Sequence, residues 1–170
     1  MTRYFVLDEN IIILAQKGEN AQGERDTACL QLVQAIAAND HALVMGRSFW
    51  GKYSSQTKTL ERQRILLIPR VMTILQSVLL DVNRDNKFIA DDELQEIEGL
   101  EQLAQSGVDI GDRDFVRAAA SVPGSILVTA DAPLMIRIRE QGFDQQYNFS
   151  VLPPQAALLL VPFAGKHSAV

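Results

Sequence analysis

Cysteine is nearly missing from this chain: Cys29 stands alone among 170 residues. That excludes an internal disulfide and any cysteine-rich metal site, and Cys29, beside Leu30 and Val33, reads as a small core residue. Histidine is almost as scarce, with only His41 and His167, so no Ser-His-Asp or Cys-His set can be assembled. No glycine-rich phosphate loop occurs, which leaves nucleotide-dependent chemistry of that kind unsupported. No apolar run reaches the roughly 18 residues of a membrane span. The first twenty residues lack a basic start, a long apolar region and a small-residue cleavage site, so no signal peptide is expected. The expected compartment is the cytoplasm, with no membrane partner. Aromatic residues make up only 6% of the chain, yet Phe49, Trp50 and Tyr53 fall within five positions. They read as core, with base stacking as the alternative.

What is present suits one soluble domain over residues 1–170, since 47% hydrophobic residues can build a substantial core at this length. The net charge of −5 speaks against a broadly nucleic-acid-binding surface, but it hides a polarity. Arg47, Lys52, Lys58, Arg62, Arg64 and Arg70 face only Glu61 between residues 41 and 70. Acids then dominate residues 81–114. One segment can therefore meet a polyanion and the other a cation; the alternative is two solvated helix faces.

Apolar runs at Tyr4–Leu7, Ala42–Met45, Ser125–Thr129 and Phe149–Leu152 predict buried strands. Helical spacing predicts helices that start near Ile11, Asp26, Arg47, Pro69, Asp91, Asp112, Ala132 and Pro153. The helix from Asp91 is expected to end at Ser106-Gly107. Alternating strands and helices imply an α/β fold, three-layer α/β/α with a mostly parallel central sheet. A helix-loop-helix insertion is expected at about 59–106.

Two of the apolar strands end on acids, Asp8 and Asp131. Ligands of such sheets gather at the carboxyl ends of the strands. In "DRDFVRAAAS", Asp112 shares the wheel face of Phe115, Val116 and Ala119, while Asp114 lies about 200° around, nearer Arg117 and Ser121. Asp112 can also be read simply as a first-turn acid that suits the helix dipole. Three inward carboxylates repel strongly, by roughly 4 kcal/mol per pair at about 4 Å. They must take up protons or recruit a cation, and an all-oxygen set favours Mg²⁺ or Mn²⁺. Metal-assisted hydrolysis of a phosphodiester is the chemistry that fits.

"VLDEN" at the first strand resembles the opening of PIN-domain proteins. "DRDFVRAAASVPGSILVTAD" resembles their later acid, Ala-rich helix and Val-Thr-x-Asp strand, and "HALVMGRSFWGKYSS" their second strand and following helix. The resemblance spans nearly the whole chain outside about 58–108. It implies an Mg²⁺- or Mn²⁺-dependent endoribonuclease acting on an RNA substrate, a type common as the toxin of a toxin–antitoxin pair. An antitoxin protein partner and a homodimer would go with it, and the apolar tail "ALLLVPF" could serve the dimer or fill the core. Asp8, Asp112 and Asp131 would be the catalytic metal acids, with Asp114 as a further candidate, and Asn10 and Thr129 would support them by hydrogen bonds. Arg47 and Lys52 would receive the RNA backbone. Lys52 stands where the family usually carries a Glu, so a catalytically inactive PIN-like module that binds RNA or a protein is the alternative.

Residues 81–93, "DVNRDNKFIADDE", resemble a calcium loop of EF-hand or dockerin type. Asp81, Asn83, Asp85, the Lys87 carbonyl and Asp92 stand at its ligand positions, making Ca²⁺ a candidate structural ion. Asn86 replaces the usual Gly and Asp92 the usual Glu. The alternative is a polar turn whose acids cap the next helix.

Overall fold

Tyr4–Leu7 becomes β1 and lies at the centre of a five-stranded sheet. The structure is a computed structural model that describes residues 2–65, 67–68, 70–101, 103 and 110–161, with Ile110 by its backbone alone. The other strands are β2 (Ala42–Gly46), β3 (Lys87–Ile89), β4 (Ile126–Val128) and β5 (Ser150–Leu152). Their order is β3-β2-β1-β4-β5 and every pairing is parallel. Helices flank the sheet in a three-layer α/β/α arrangement. Phe5, Val6 and Leu7 have no more than 2% of their surface exposed, because a strand between two layers must be apolar on both faces.

Helices α1 (Glu9–Lys17) and α2 (Ala28–Ala38) connect β1 to β2, and α3 (Phe49–Arg62) and α4 (Arg70–Leu80) connect β2 to β3. Helix α5 (Ile110–Ser121) leads into β4 and packs against β1, β2 and β4. Then come α6 (Ala132–Glu140), the short α7 (Phe143–Gln146), β5 and α8 (Pro154–Leu159). Since all strands run the same way, the residues following β1, β2, β3 and β4 share one edge. Asp8, Arg47, Ala90 and Thr129 stand along it.

Three features depart from the sequence reading. The helix expected from Asp91 does not form over the described residues 91–100, which run as turns. In its place, ahead of those turns, β3 joins the sheet. Its anchors are polar: Asn86 Oδ1 accepts from Leu43 N (2.9 Å) and its Nδ2 donates to Val78 O (2.7 Å). The Arg84 guanidinium donates to the carbonyls of Ile36, Ala37 and His41 at the end of α2. Three residues with an exposed Phe88 carry no strand periodicity, so only the partner strand makes them one. The region near 59–106 thus contributes a strand to the sheet as well as a helix. The expected helix start at Pro69, the helix end at Ser106-Gly107, His167 and the last residues of the apolar tail lie outside the described residues.

Helix α3 is longer than the short helix the sequence suggests, and its start is seated closely on β2. A Cβ on Gly46 would fall 2.7 Å from the Phe49 ring, so glycine is what lets that buried ring lie against the strand end.

Candidate active site

Asp8 follows β1 directly, and its backbone N–H donates to Val128 O at 3.0 Å, tying the strand end to β4. It precedes α1 as the capping residue, yet its carboxylate caps nothing. The side chain is instead buried completely, at 0% exposure. Oδ2 accepts from Thr129 Oγ1 (2.6 Å) and from Asn10 Nδ2 (2.7 Å). Oδ1 is buried and has no hydrogen-bond partner.

Thr129 is the hub of the cluster. Its hydroxyl donates to Asp8 and accepts from Asp131 N (3.0 Å) and Asn10 Nδ2 (3.2 Å). Asn10 Oδ1 in turn accepts from Ala130 N at 3.1 Å, so the amide clamps the ends of β1 and β4 together. Asp131 is partly buried, and its Oδ1 caps α6 by accepting from Leu134 N at 3.0 Å. Of the acids expected to share one site, Asp8 and Asp131 lie together at this edge with Asn10 and Thr129, and Asp112 does not join them among the described residues.

Burial pushes the Asp8 carboxyl up to about 6, against the pull of the Thr129 hydrogen bond and of the nearby Glu9 backbone N–H, and the charges of Glu9 and Asp131 push the same way as burial. Asp131 is therefore an electrostatic neighbour of Asp8. Below the site, Tyr53 of α3 donates its buried hydroxyl to Leu7 O. Burial, then the charges of Asp8 and Glu9, raise the Tyr53 phenol well above its ordinary value.

The third acid is placed differently. Asp112 lies in the first turn of α5 and is half-buried, whereas Phe115, Val116 and Ala119 on the same wheel face are fully buried. Asp114 meets Lys52 Nζ at 3.2 Å and Arg117 at 4.0 Å. Lys52 also donates to Gly111 O at 2.9 Å and lies over the rings of Phe115 and Phe49, at 5.0 and 5.8 Å. The ammonium expected to contact RNA is thus taken up between α3 and the start of α5. Of the two expected RNA contacts, Arg47 is exposed and has no ion pair among the described residues. Phe49 and Tyr53 are core as expected and pack against Phe115. Among the described residues, no three His, Cys, Asp or Glu side chains group closely enough to hold a metal ion.

The residues of the calcium-like loop have other partners. Asp81 accepts from Asn83 N and Arg84 Nε, and Asp85 from Tyr4 Oη and Lys87 Nζ. The Lys87 backbone lies in the strand pairing with Val44, and Asp92 stands in an exposed turn. With Asp81 and Asp85 engaged and no helix after it over residues 91–100, the loop does not fit a calcium ion.

For a divalent ion at Asp8 the chemistry does fit. A fully buried carboxylate oxygen without a partner requires a proton or a cation. Mg²⁺ is commonly held by only one or two carboxylates, with water and substrate phosphate completing its shell.

Comparison with protein-family models, curated proteins and solved structures finds no match. The site's chemistry therefore rests on its own geometry. The signal in the sequence for Thr129 was its place at a strand end. Nothing there marked Lys52 as the partner of Asp114, because residues 62 positions apart show no pairing until folded.

Proposed function

We propose that the chain is a metal-dependent ribonuclease of PIN type, hydrolysing phosphodiesters at the carboxyl edge of its sheet. The observation that carries this reading is Asp8, a wholly buried carboxylate with one oxygen fixed by Thr129 and Asn10 and the other uncommitted. Asp8, with Asp131 beside it, would hold Mg²⁺ or Mn²⁺, with water and substrate phosphate filling the rest of its shell; the expected third acid, Asp112, does not group with them among the described residues. Such an ion, when bound, makes hydroxide available near neutral pH and offsets charge on the reacting phosphate. The protein's own contribution is orientation. Thr129 and Asn10 hold Asp8 Oδ2, and hydrogen bonds of this kind fix a ligand's geometry and tune its basicity. Arg47, exposed and unpaired among the described residues, would receive the RNA backbone.

The test is cleavage of mixed RNA substrates with Mn²⁺ by the full chain and by Asp8→Asn. The substitution is expected to lose roughly a hundredfold or more in activity. Equal rates in the two proteins would overturn the reading.

A second reading, a PIN-like module that binds RNA or a protein without cutting, is favoured by one observation. Lys52 places a fixed positive charge on Asp114, at the helix that carries Asp112. This reading predicts that Mn²⁺ leaves the melting temperature of the wild type unchanged, whereas an ion bound at Asp8 raises it.

A further inference from the structure

A cleft of about 680 Å³ opens over the carboxyl ends of β2 and β3 and is separate from the residues around Asp8. Its size falls within the roughly 300–1,000 Å³ of small-molecule sites. Met45 and Leu79 contribute apolar surface, and Trp50 and Phe88 contribute aromatic rings. Two charged residues complete the lining, Arg47 and Glu93, both exposed. Phe88 is 65% exposed, an unusual cost for a large apolar ring on an edge strand.

Where this cleft lies narrows what it holds. Sheet order puts β2 directly beside β1, so the cleft's strands are one and two places from the strand that carries Asp8. At about 4.8 Å between neighbouring strands, that is roughly 5–10 Å along the same edge. An extended polymer whose phosphate sits at Asp8 would lay a neighbouring group there. The lining matches a nucleotide in each part. Aromatic rings stack on a base of any identity. A free guanidinium takes a phosphate oxygen, and a carboxylate accepts from an exocyclic amine, as Glu does with cytosine N4. Glu93 Oε2 already accepts from Ala90 N at 3.2 Å, which fixes the carboxylate at the rim and leaves Oε1 for a ligand, and a purely apolar peptide would leave Arg47 without a role.

We propose that this cleft is a base-binding subsite for single-stranded RNA. It holds an unpaired base that carries an exocyclic amine, next to the phosphodiester presented at Asp8. The inference rests on the reading of the Asp8 site given above. Trp50 and Phe88 flank the base, Arg47 meets its phosphate, and Glu93 selects cytosine or adenine over uracil.

Trp50 is the only tryptophan of the chain, so its fluorescence reports on the cleft directly. Oligo(C), oligo(A) and oligo(U) are titrated into the full-length protein with chelator present, which prevents turnover. The expected result is saturable quenching of Trp50, with oligo(C) and oligo(A) binding about tenfold more tightly than oligo(U). Glu93→Ala should erase that preference, and Phe88→Ala should weaken all three. Both positions are exposed, so the folded state survives these changes, and an unchanged emission spectrum of the free variants confirms it. Arg47→Met should weaken every oligonucleotide equally and flatten the salt dependence. An emission that no oligonucleotide alters overturns the proposal. So does a change produced by raising protein concentration alone, which would make the cleft a contact between copies. The two readings fail separately. Cleavage that depends on Asp8 while Trp50 stays silent sinks the subsite alone. Trp50 quenching with no cleavage that depends on Asp8 sinks the hydrolase and keeps the subsite.

Discussion

Replacing Asp8 by Asn changes one charge at a site that is otherwise kept. The amide oxygen can accept the bonds from Thr129 and Asn10, so what is lost is the ionisation of a fully buried group. In the folded chain burial pushes the Asp8 carboxyl up to about 6, from 3.8 ordinarily. The folded state therefore holds this proton more tightly than the unfolded one. The group's contribution to stability is complete below pH 3.8 and is lost as pH rises through about 6. Its full size is about 3 kcal/mol, at about 1.4 kcal/mol for each pKa unit. Roughly half of that, about 1.4 kcal/mol, is lost between about pH 5 and about pH 8. The assay is thermal unfolding of both proteins at those two pH values with chelator present. In a chain of this length each kcal/mol moves Tm by about 2–4 °C. The wild type should therefore fall by about 3–6 °C relative to Asp8→Asn on going to the higher pH. Saturating Mn²⁺, at about a hundred times its Kd, should then restore about 2.7 kcal/mol to the wild type alone. Its effect should be larger at high pH, where the carboxylate is already ionised. A gap between the two proteins that does not vary with pH would show that Asp8 ionises normally, and the argument from burial would collapse.

Thr129→Val removes the donor that pulls the Asp8 pKa down, so Asp8 should titrate still higher. Activity with Mn²⁺ should drop by about 10–100-fold, and an unmoved pH–rate profile would count against Thr129 as the positioning group. Lys52→Met removes a fixed charge from the start of α5. Mn²⁺ should bind more tightly by its Tm shift, at a stability cost of no more than about 1 kcal/mol because the pair is partly exposed. Equal Mn²⁺ affinity would show that the ammonium does not oppose the metal. Arg84→Ala removes the side-chain donor to the Ala37 and His41 carbonyls and one of two donors to Ile36 O, and should cost about 2–3 kcal/mol in urea unfolding. A loss near zero would mean that β3 is held without it. Isothermal titration with millimolar Ca²⁺ should give no heat that Asp81→Ala removes; a heat lost in that variant would restore the calcium loop.

The sequence by itself determined the layers and the strand ends at which Asp8 and Asp131 stand. Continuous apolar runs such as Tyr4–Leu7 and Ile126–Val128 can only be strands buried on both faces, and helices between them force parallel pairing. Parallel pairing in turn brings Asp8, Asn10, Thr129 and Asp131 to one edge, because each stands just past an apolar run. What local pattern could not carry was decided by contacts distant in sequence. Lys87–Ile89 has no strand signal of its own and becomes one because Asn86 and Arg84 fasten it beside β2. The acids of the calcium-like loop match a ligand spacing, yet spacing does not show that Asp85 will find Tyr4 and Lys87 first. Lys52 was legible as a cation out of place, but not as the partner of Gly111 and Asp114. A helical wheel gives the direction of a side chain about its own axis, not how far the helix start stands from the sheet edge. That is why the burial of Asp112 differs from that of Phe115. Periodicity is a property of neighbours along the chain, whereas a charge's partner depends on which elements pack together, and packing is settled only when the whole core closes.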